Sequence, residues 1–186
     1  PDSFGYTWYD WEPLNWINAG GGTNTGINNS TESAGPIDIG FPFKFYENTR
    51  TQLYISRYGF LAFSDNALWD SQSQIPNPES PNEVIAPHWA PIYAVAGYVR
   101  YLRGGTAPNR WFAVEWNRVR GDCCSGDGDE EYTFEAILHE SGDIVFQYTT
   151  MTTRGNFWCQ ASGVEDTTGL DGLSTSPWCQ QVAPNH

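Results

Sequence analysis

Residues 35–89 read GPIDIGFPFKFYENTRTQLYISRYGFLAFSDNALWDSQSQIPNPESPNEVIAPHW. Apolar and aromatic runs only a few residues long are cut by Gly, Pro, Asn and Asp, the punctuation of short β-strands joined by turns. The same texture continues downstream. Strands are expected at 37–46, 52–56 and 60–64, then at 95–102, 110–118, 132–139, 143–150 and 157–164. Glu140, Ser141 and Gly142 separate two of these runs as a hairpin turn. The stretch 75–81 (IPNPESP) holds too many prolines for a central strand and reads as an extended surface loop. No segment sustains a helical period. Short strands at this spacing predict an all-β fold, an antiparallel β-sandwich, rather than βαβ units.

At 186 residues the chain fits a single domain, 1–186. A chain of that length buries roughly 70% of its unfolded surface, enough for a core of its own. Nine Trp, ten Tyr and ten Phe suit the pleated, half-buried surface of a sheet. So many tryptophans exceed the needs of one core, so some are expected to cover loops or face a partner. The formal net charge is −13, with one lysine, Lys44, against eight arginines. Phosphate backbones and anionic membrane surfaces repel such a chain, which argues against nucleic acid and membrane partners. No apolar run approaches the ~20 residues of a membrane span. A chain beginning at Pro1 reads as either processed or trimmed, and processing would fit the loss of an export signal.

The core sandwich is expected over 37–164, with distinct flanks. Residues 1–18 carry Phe4, Tyr6, Trp8, Trp11 and Trp16; the first three recur at period two and would share one face of an extended strand. Residues 19–36 are rich in Gly, Asn, Thr and Ser and read as a flexible loop. Asn28 and Asn29 head two overlapping N-x-S/T sequons there, candidate glycosylation sites that also arise by chance in such loops. The tail, 165–186, reads as irregular.

Seven pieces occur in order over roughly 35–150: IGFPFKFY (39–46), YISRYGFLAF (54–63), NEVIAPHWA (82–90), VRYL (99–102), FAVEWNRV (112–119), YTFEAIL (132–138) and DIVFQY (143–148). Together they resemble the nidogen-like domain of extracellular matrix and mucin-type proteins and related bacterial secreted modules. The resemblance implies an extracellular or cell-surface setting and an adhesive or architectural role, and it brings no catalytic residues. Two positions depart from the family pattern. Tyr58 stands where Asn usually precedes the glycine, so Tyr58-Gly59 is expected to use another turn or a bulge. Pro91 stands where an Asp is common.

Four cysteines, Cys123, Cys124, Cys159 and Cys179, form an even set that favours disulfides in an exported chain. Adjacent cysteines bridge poorly to each other, so Cys123 and Cys124 each take one distant partner, in either of two pairings. A zinc site lacks the C-x-x-C spacing and a histidine pair. Asp122, Asp127, Asp129 and Glu130 crowd the same loop and are candidate calcium ligands, although the EF-hand pattern fails at Leu138. The alternative is a solvated hairpin tip. Asp166 and Asp171 form a weaker candidate of the same kind. Glu115 and Glu135, on adjacent expected strands, could form a glycosidase-like carboxylate pair. No G-x-S-x-G or H-E-x-x-H accompanies His88, His139 or His186.

These readings converge on a non-enzymatic extracellular module that self-associates or binds other extracellular proteins, as in a filament or matrix. Segment 1–18 would complete a neighbour's sheet or else form the first strand of its own. The second reading is a calcium-assisted carbohydrate-binding module, with exposed rings stacking on glycans.

Overall fold

The computed structural model describes residues 1–10, 13–64, 74–94, 97–121, 131–152, 159–177 and 184. Within them lie a 3-10 turn (Ala19–Gly21) and β1 (Thr23–Asn24), β2 (Ser33–Phe45), β3 (Asn48–Ser56), β4 (Leu61–Ala62), β5 (Val84–Trp89), β6 (Ile92–Tyr93), β7 (Tyr98–Gly104), β8 (Trp111–Gly121), β9 (Tyr132–His139), β10 (Ile144–Met151), β11 (Ala161–Glu165) and β12 (Gly172–Ser174). One sheet runs β1-β7-β8-β9-β10, with β6 on the end of β8; the other runs β12-β11-β5-β4-β3-β2. Every pairing is antiparallel. The two sheets form the sandwich that the strand spacing predicts.

Side-chain alternation makes the core. On β2, Ile39, Phe41, Phe43 and Phe45 are buried, while Gly40, Pro42 and Lys44 between them face out. From the opposite sheet Phe112, Val114 and Trp116 of β8 and Phe134, Ala136 and Leu138 of β9 join the same cluster. Two rings of one sheet reach across to hydrogen-bond the backbone of the other. Trp116 Nε1 donates to the Ser56 carbonyl at 3.0 Å, and the Tyr148 hydroxyl donates to the Pro87 carbonyl at 2.7 Å. Both rings thereby bury their apolar bodies with the polar atom satisfied.

The turn at Tyr58-Gly59 resolves as a three-residue loop with a bulge. Gly59 N–H donates to the Ser56 carbonyl at 3.3 Å, and Ser56 N–H donates to Phe60 at 2.9 Å. The left-handed conformation falls on Gly59 alone (φ +80), so Tyr58 needs no positive φ and an aromatic fits. A Cβ at Gly59 would collide with the His88 carbonyl. The hairpin at 140–142 repeats the pattern: Gly142 (φ +99) donates to His139, and His139 N–H donates to Asp143.

Several expectations are corrected. Residues 4–8 form no strand, because Asp2 Oδ1 accepts the N–H groups of Gly5 (2.8 Å) and Tyr6 (2.7 Å) and curls the chain into a local turn. β5 was not legible as a strand. All six of its residues are buried, since a second apolar cluster around Phe60, Ile75 and Trp89 covers its outer side and erases the alternation. The 19–36 stretch carries the 3-10 turn, β1 and the start of β2, and the tail contributes β12.

Trp116→Ala should lower stability by about 3–5 kcal/mol, as for other buried aromatic truncations, and Trp116→Phe by less. Urea unfolding followed by far-UV circular dichroism checks this. An unchanged midpoint for Trp116→Ala would contradict the placement of the ring.

Candidate functional site

On the sheet that carries β7 to β10, alternate residues point away from the core. Four of them are direct cross-strand neighbours: Arg100 on β7, Glu115 on β8, Glu135 on β9 and Gln147 on β10. Outward residues on a two-layer sandwich normally meet water. Here Glu115, Glu135 and Gln147 are buried, at 1%, 0% and 4% exposure. What covers them is the chain's own N-terminal segment.

That segment runs along the row and bonds to one strand at a time. Asn15 N–H donates to Gln147 Oε1 at 2.6 Å, and Gln147 Nε2 returns a bond to the Asn15 carbonyl at 3.0 Å. Ile17 N–H donates to Glu135 Oε1 at 3.0 Å, and Ala19 N–H to Glu115 Oε2 at 2.8 Å. Arg100 closes the series on the Gly20 carbonyl. Two residues of extended chain advance about 6.6 Å against about 4.8 Å between strands, and the flexible arms of Glu and Gln take up the difference. The result is a strap across the sheet, held by side chains instead of a backbone ladder.

Its far end is anchored separately. Tyr46, at the β2–β3 turn, donates from its hydroxyl to Asp2 Oδ2 at 2.9 Å, and Phe4 and Tyr6 pack against its ring at 5.2 and 5.0 Å. Burial first, then the bond to Asp2, pushes the Tyr46 hydroxyl above its ordinary titration range. Ser3 N–H donates to Asp171 Oδ1 at 2.9 Å. The proposed assembly residues therefore divide. Phe4 and Trp8 are exposed, Tyr6 and Trp16 are half-buried, and Trp11 lies outside the described residues. Of the five exposed large apolar side chains among the described residues, Phe4, Trp8, Tyr9 and Leu14 all belong to this segment.

The two glutamates, expected as a candidate glycosidase-like pair, are brought together as direct neighbours but serve the strap. Glu115 is well supplied with donors: besides Ala19, Asn117 Nδ2 lies at 2.7 Å and the Tyr98 hydroxyl at 3.3 Å. Glu135 receives Ile17 and Gln147 on one oxygen only, and its Oε2 is buried without a partner. Burial, reinforced by the charge of Glu115 and only partly offset by the Ile17 hydrogen bond, pushes the Glu135 carboxyl up to about 8. The uncharged acid tolerates an orphaned oxygen that a carboxylate would not. Elsewhere His88 is fully buried against Tyr132 and Phe134 with neither ring nitrogen bonded, and burial lowers it to about 3.

Other candidates fall as follows. Asp122, Asp127, Asp129 and Glu130 lie outside the described residues, as do Cys123, Cys124 and Cys179; Cys159 is described, half-buried just ahead of β11. Among the described residues no three Asp, Glu, His or Cys side chains converge as a metal site. Asp166 is taken up by its own turn, accepting from Thr168 Oγ1 and Asp171 N–H, and Asp171 by Ser3. Asn28 and Asn29 are exposed, but the Asn28 amide already donates to the Gly26 carbonyl at 3.1 Å. No described helix is long and apolar enough to cross a membrane.

Glu135 and Glu165 both bind a proton more tightly folded than unfolded, each being raised from 4.5 to about 8 by burial first of all. Their contribution is complete below pH 4.5 and is lost as pH rises through about 8. His88 opposes this only below its ordinary 6.5, where the unfolded chain gains a proton that the buried ring refuses. Melting temperatures at constant ionic strength should therefore fall between pH 6.5 and 8.5, with a shallower fall in Glu135→Gln and the shallowest in Glu135→Gln/Glu165→Gln.

No solved structure matches the chain. The family model described as NIDO related matches residues 5–183, which takes in the strap, both sheets and β12, and the chain belongs to that family.

Proposed function

We propose that this domain is a non-enzymatic structural or adhesive module working outside the cell, a self-associating subunit of a surface filament or matrix whose copies are linked through the N-terminal segment. The observation that carries this reading is how the segment is attached. The described residues of segment 1–22 lie on the outside of a finished sandwich and contribute only Ala19 to its fully buried set. They hold by individual hydrogen bonds to side chains, and they carry four of the five exposed large apolar side chains among the described residues. Such a segment can change hosts without dismantling a core.

Membership of a nidogen-related family supports the extracellular setting. A non-enzymatic role is supported by the state of the Glu115–Glu135 pair, roofed by the strap and engaged with its backbone. Disulfides among Cys123, Cys124, Cys159 and Cys179 belong to the same proposal; each would add about 2–4 kcal/mol against unfolding. Reduction should accordingly lower the melting temperature, and free-thiol counts before and after denaturation check whether the bonds exist.

Assembly of copies that each carry −13 is opposed by repulsion, so it should strengthen as salt rises from about 0.01 M to 0.15 M, where screening shortens from about 30 to 8 Å. Sedimentation and negative-stain microscopy over a concentration series check this. A chain lacking residues 1–18 should remain monomeric throughout. The proposal fails if the full chain stays monomeric at every concentration and salt, or if the shortened chain assembles equally well.

A further inference from the structure

The row that holds the strap has the character of a receptor as well as a fastening. Arg100, Glu115, Glu135 and Gln147 are rigidly spaced by the sheet and together offer three acceptors (Glu115, Glu135, Gln147) and two donors (Arg100, Gln147) to a passing backbone. A segment that fits must present N–H groups at alternate residues, in the positions of Asn15, Ile17 and Ala19. It must also be small at its trailing end. Ala19 is completely buried, and a Cβ at Gly22 would collide with the Tyr101 carbonyl. Backbone donors alone would accept almost any extended chain; the small-residue requirement fixes register and sequence.

The chain also has a place to bend. β1 holds the segment to the sheet edge over a short stretch, Thr23 and Asn24 paired with β7 and Thr25 donating from its N–H and its hydroxyl to the Val99 carbonyl. Gly26 follows at φ +77 with open space around it, and Asn28 to Thr31 form an exposed turn. Beyond that turn Glu32 is tied to Arg57, where β2 and the sandwich proper begin.

Resting on the self-association reading above, we propose that the Arg100–Glu115–Glu135–Gln147 row is a docking groove for residues 15–22 of a second copy of this chain, exchanged about a hinge at Gly26. The occupant seen in the groove is this chain's own segment, and a second copy carries the identical one. In dilute solution the cis segment wins, because a tethered ligand competes at an effective concentration of order millimolar. Exchange is therefore a property of crowded chains, as on a surface or in a fibre.

The test removes the cis competitor. A full chain with Ile17→Pro and Ala19→Pro loses two strap donors but keeps its groove. A full chain with Glu115→Leu and Glu135→Leu keeps its strap but loses the acceptors. Gly22→Val and Gln147→Ala form a milder second pair, used if circular dichroism shows that either first variant is unfolded. Each variant alone should be a monomer of 20.8 kDa. An equimolar mixture should give a one-to-one heterodimer in native mass spectrometry with one chain isotope-labelled, at least about tenfold above either variant alone, as expected once the intramolecular competitor is gone.

Folded variants of both pairs that remain monomeric in mixture overturn the groove. If the wild-type chain still assembles in that case, self-association stands and uses another surface. Heterodimers from the mixture alongside a wild-type chain that never assembles support the groove and overturn the filament reading.

Discussion

A carboxyl group buried on the outer face of a β-sheet needs hydrogen-bond donors, and a sheet has already committed its own N–H groups to the ladder. In this protein the shortage is met from outside. Asn15, Ile17 and Ala19 belong to no strand, and their N–H groups need acceptors as much as Gln147, Glu135 and Glu115 need donors. Lifting the strap returns both sides to water, so what holds it is the net worth of these paired bonds, about 0.5–1.5 kcal/mol each. That mutual requirement closes the outer face over the polar row and fixes where the N-terminal segment can lie. The unequal supply of donors then separates two neighbouring acids. Glu115, with three kinds of donor, is fully engaged, while Glu135 keeps one bare oxygen and holds its proton.

Much of the fold could be read from the chain because alternation is a local signal. β9 matches its expected range and β2, β3, β8 and β10 lie within a few residues of theirs, each having a core face and a contrasting outer face. The reading failed where that contrast is missing. β5 is buried on both sides and contains Pro87, so neither periodicity nor propensity marks it. The first segment failed for the opposite reason. Phe4, Tyr6 and Trp8 alternate as a strand would, but Asp2 supplies a competing local bond pattern that alternation cannot reveal.

The candidate site was legible only in half. Glu115 and Glu135 stood out as outward acids on adjacent strands, and they are indeed neighbours. Their partners could not be seen, because backbone N–H groups are common to nearly every residue and leave no signature in the sequence. Ala19 lies 96 positions from Glu115 and Ile17 lies 118 from Glu135. The single trace was the run Ala19-Gly20-Gly21-Gly22, whose composition suggested flexibility. Gly22 is needed for the reverse reason, to bring a fixed backbone close to Tyr101.

The order of the strap's fastenings along the chain has a mechanical consequence. Asp2, Ser3, Asn15, Ile17, Ala19 and Gly20 are each held at a different point, in sequence, before the first strand of the second sheet is reached. A pull on the N-terminus loads these points one after another, whereas β2 and β3, paired along their length, share a load among many bonds at once. The chain would therefore yield in small steps at low force, paying out some twenty residues of slack while the sandwich itself stays intact.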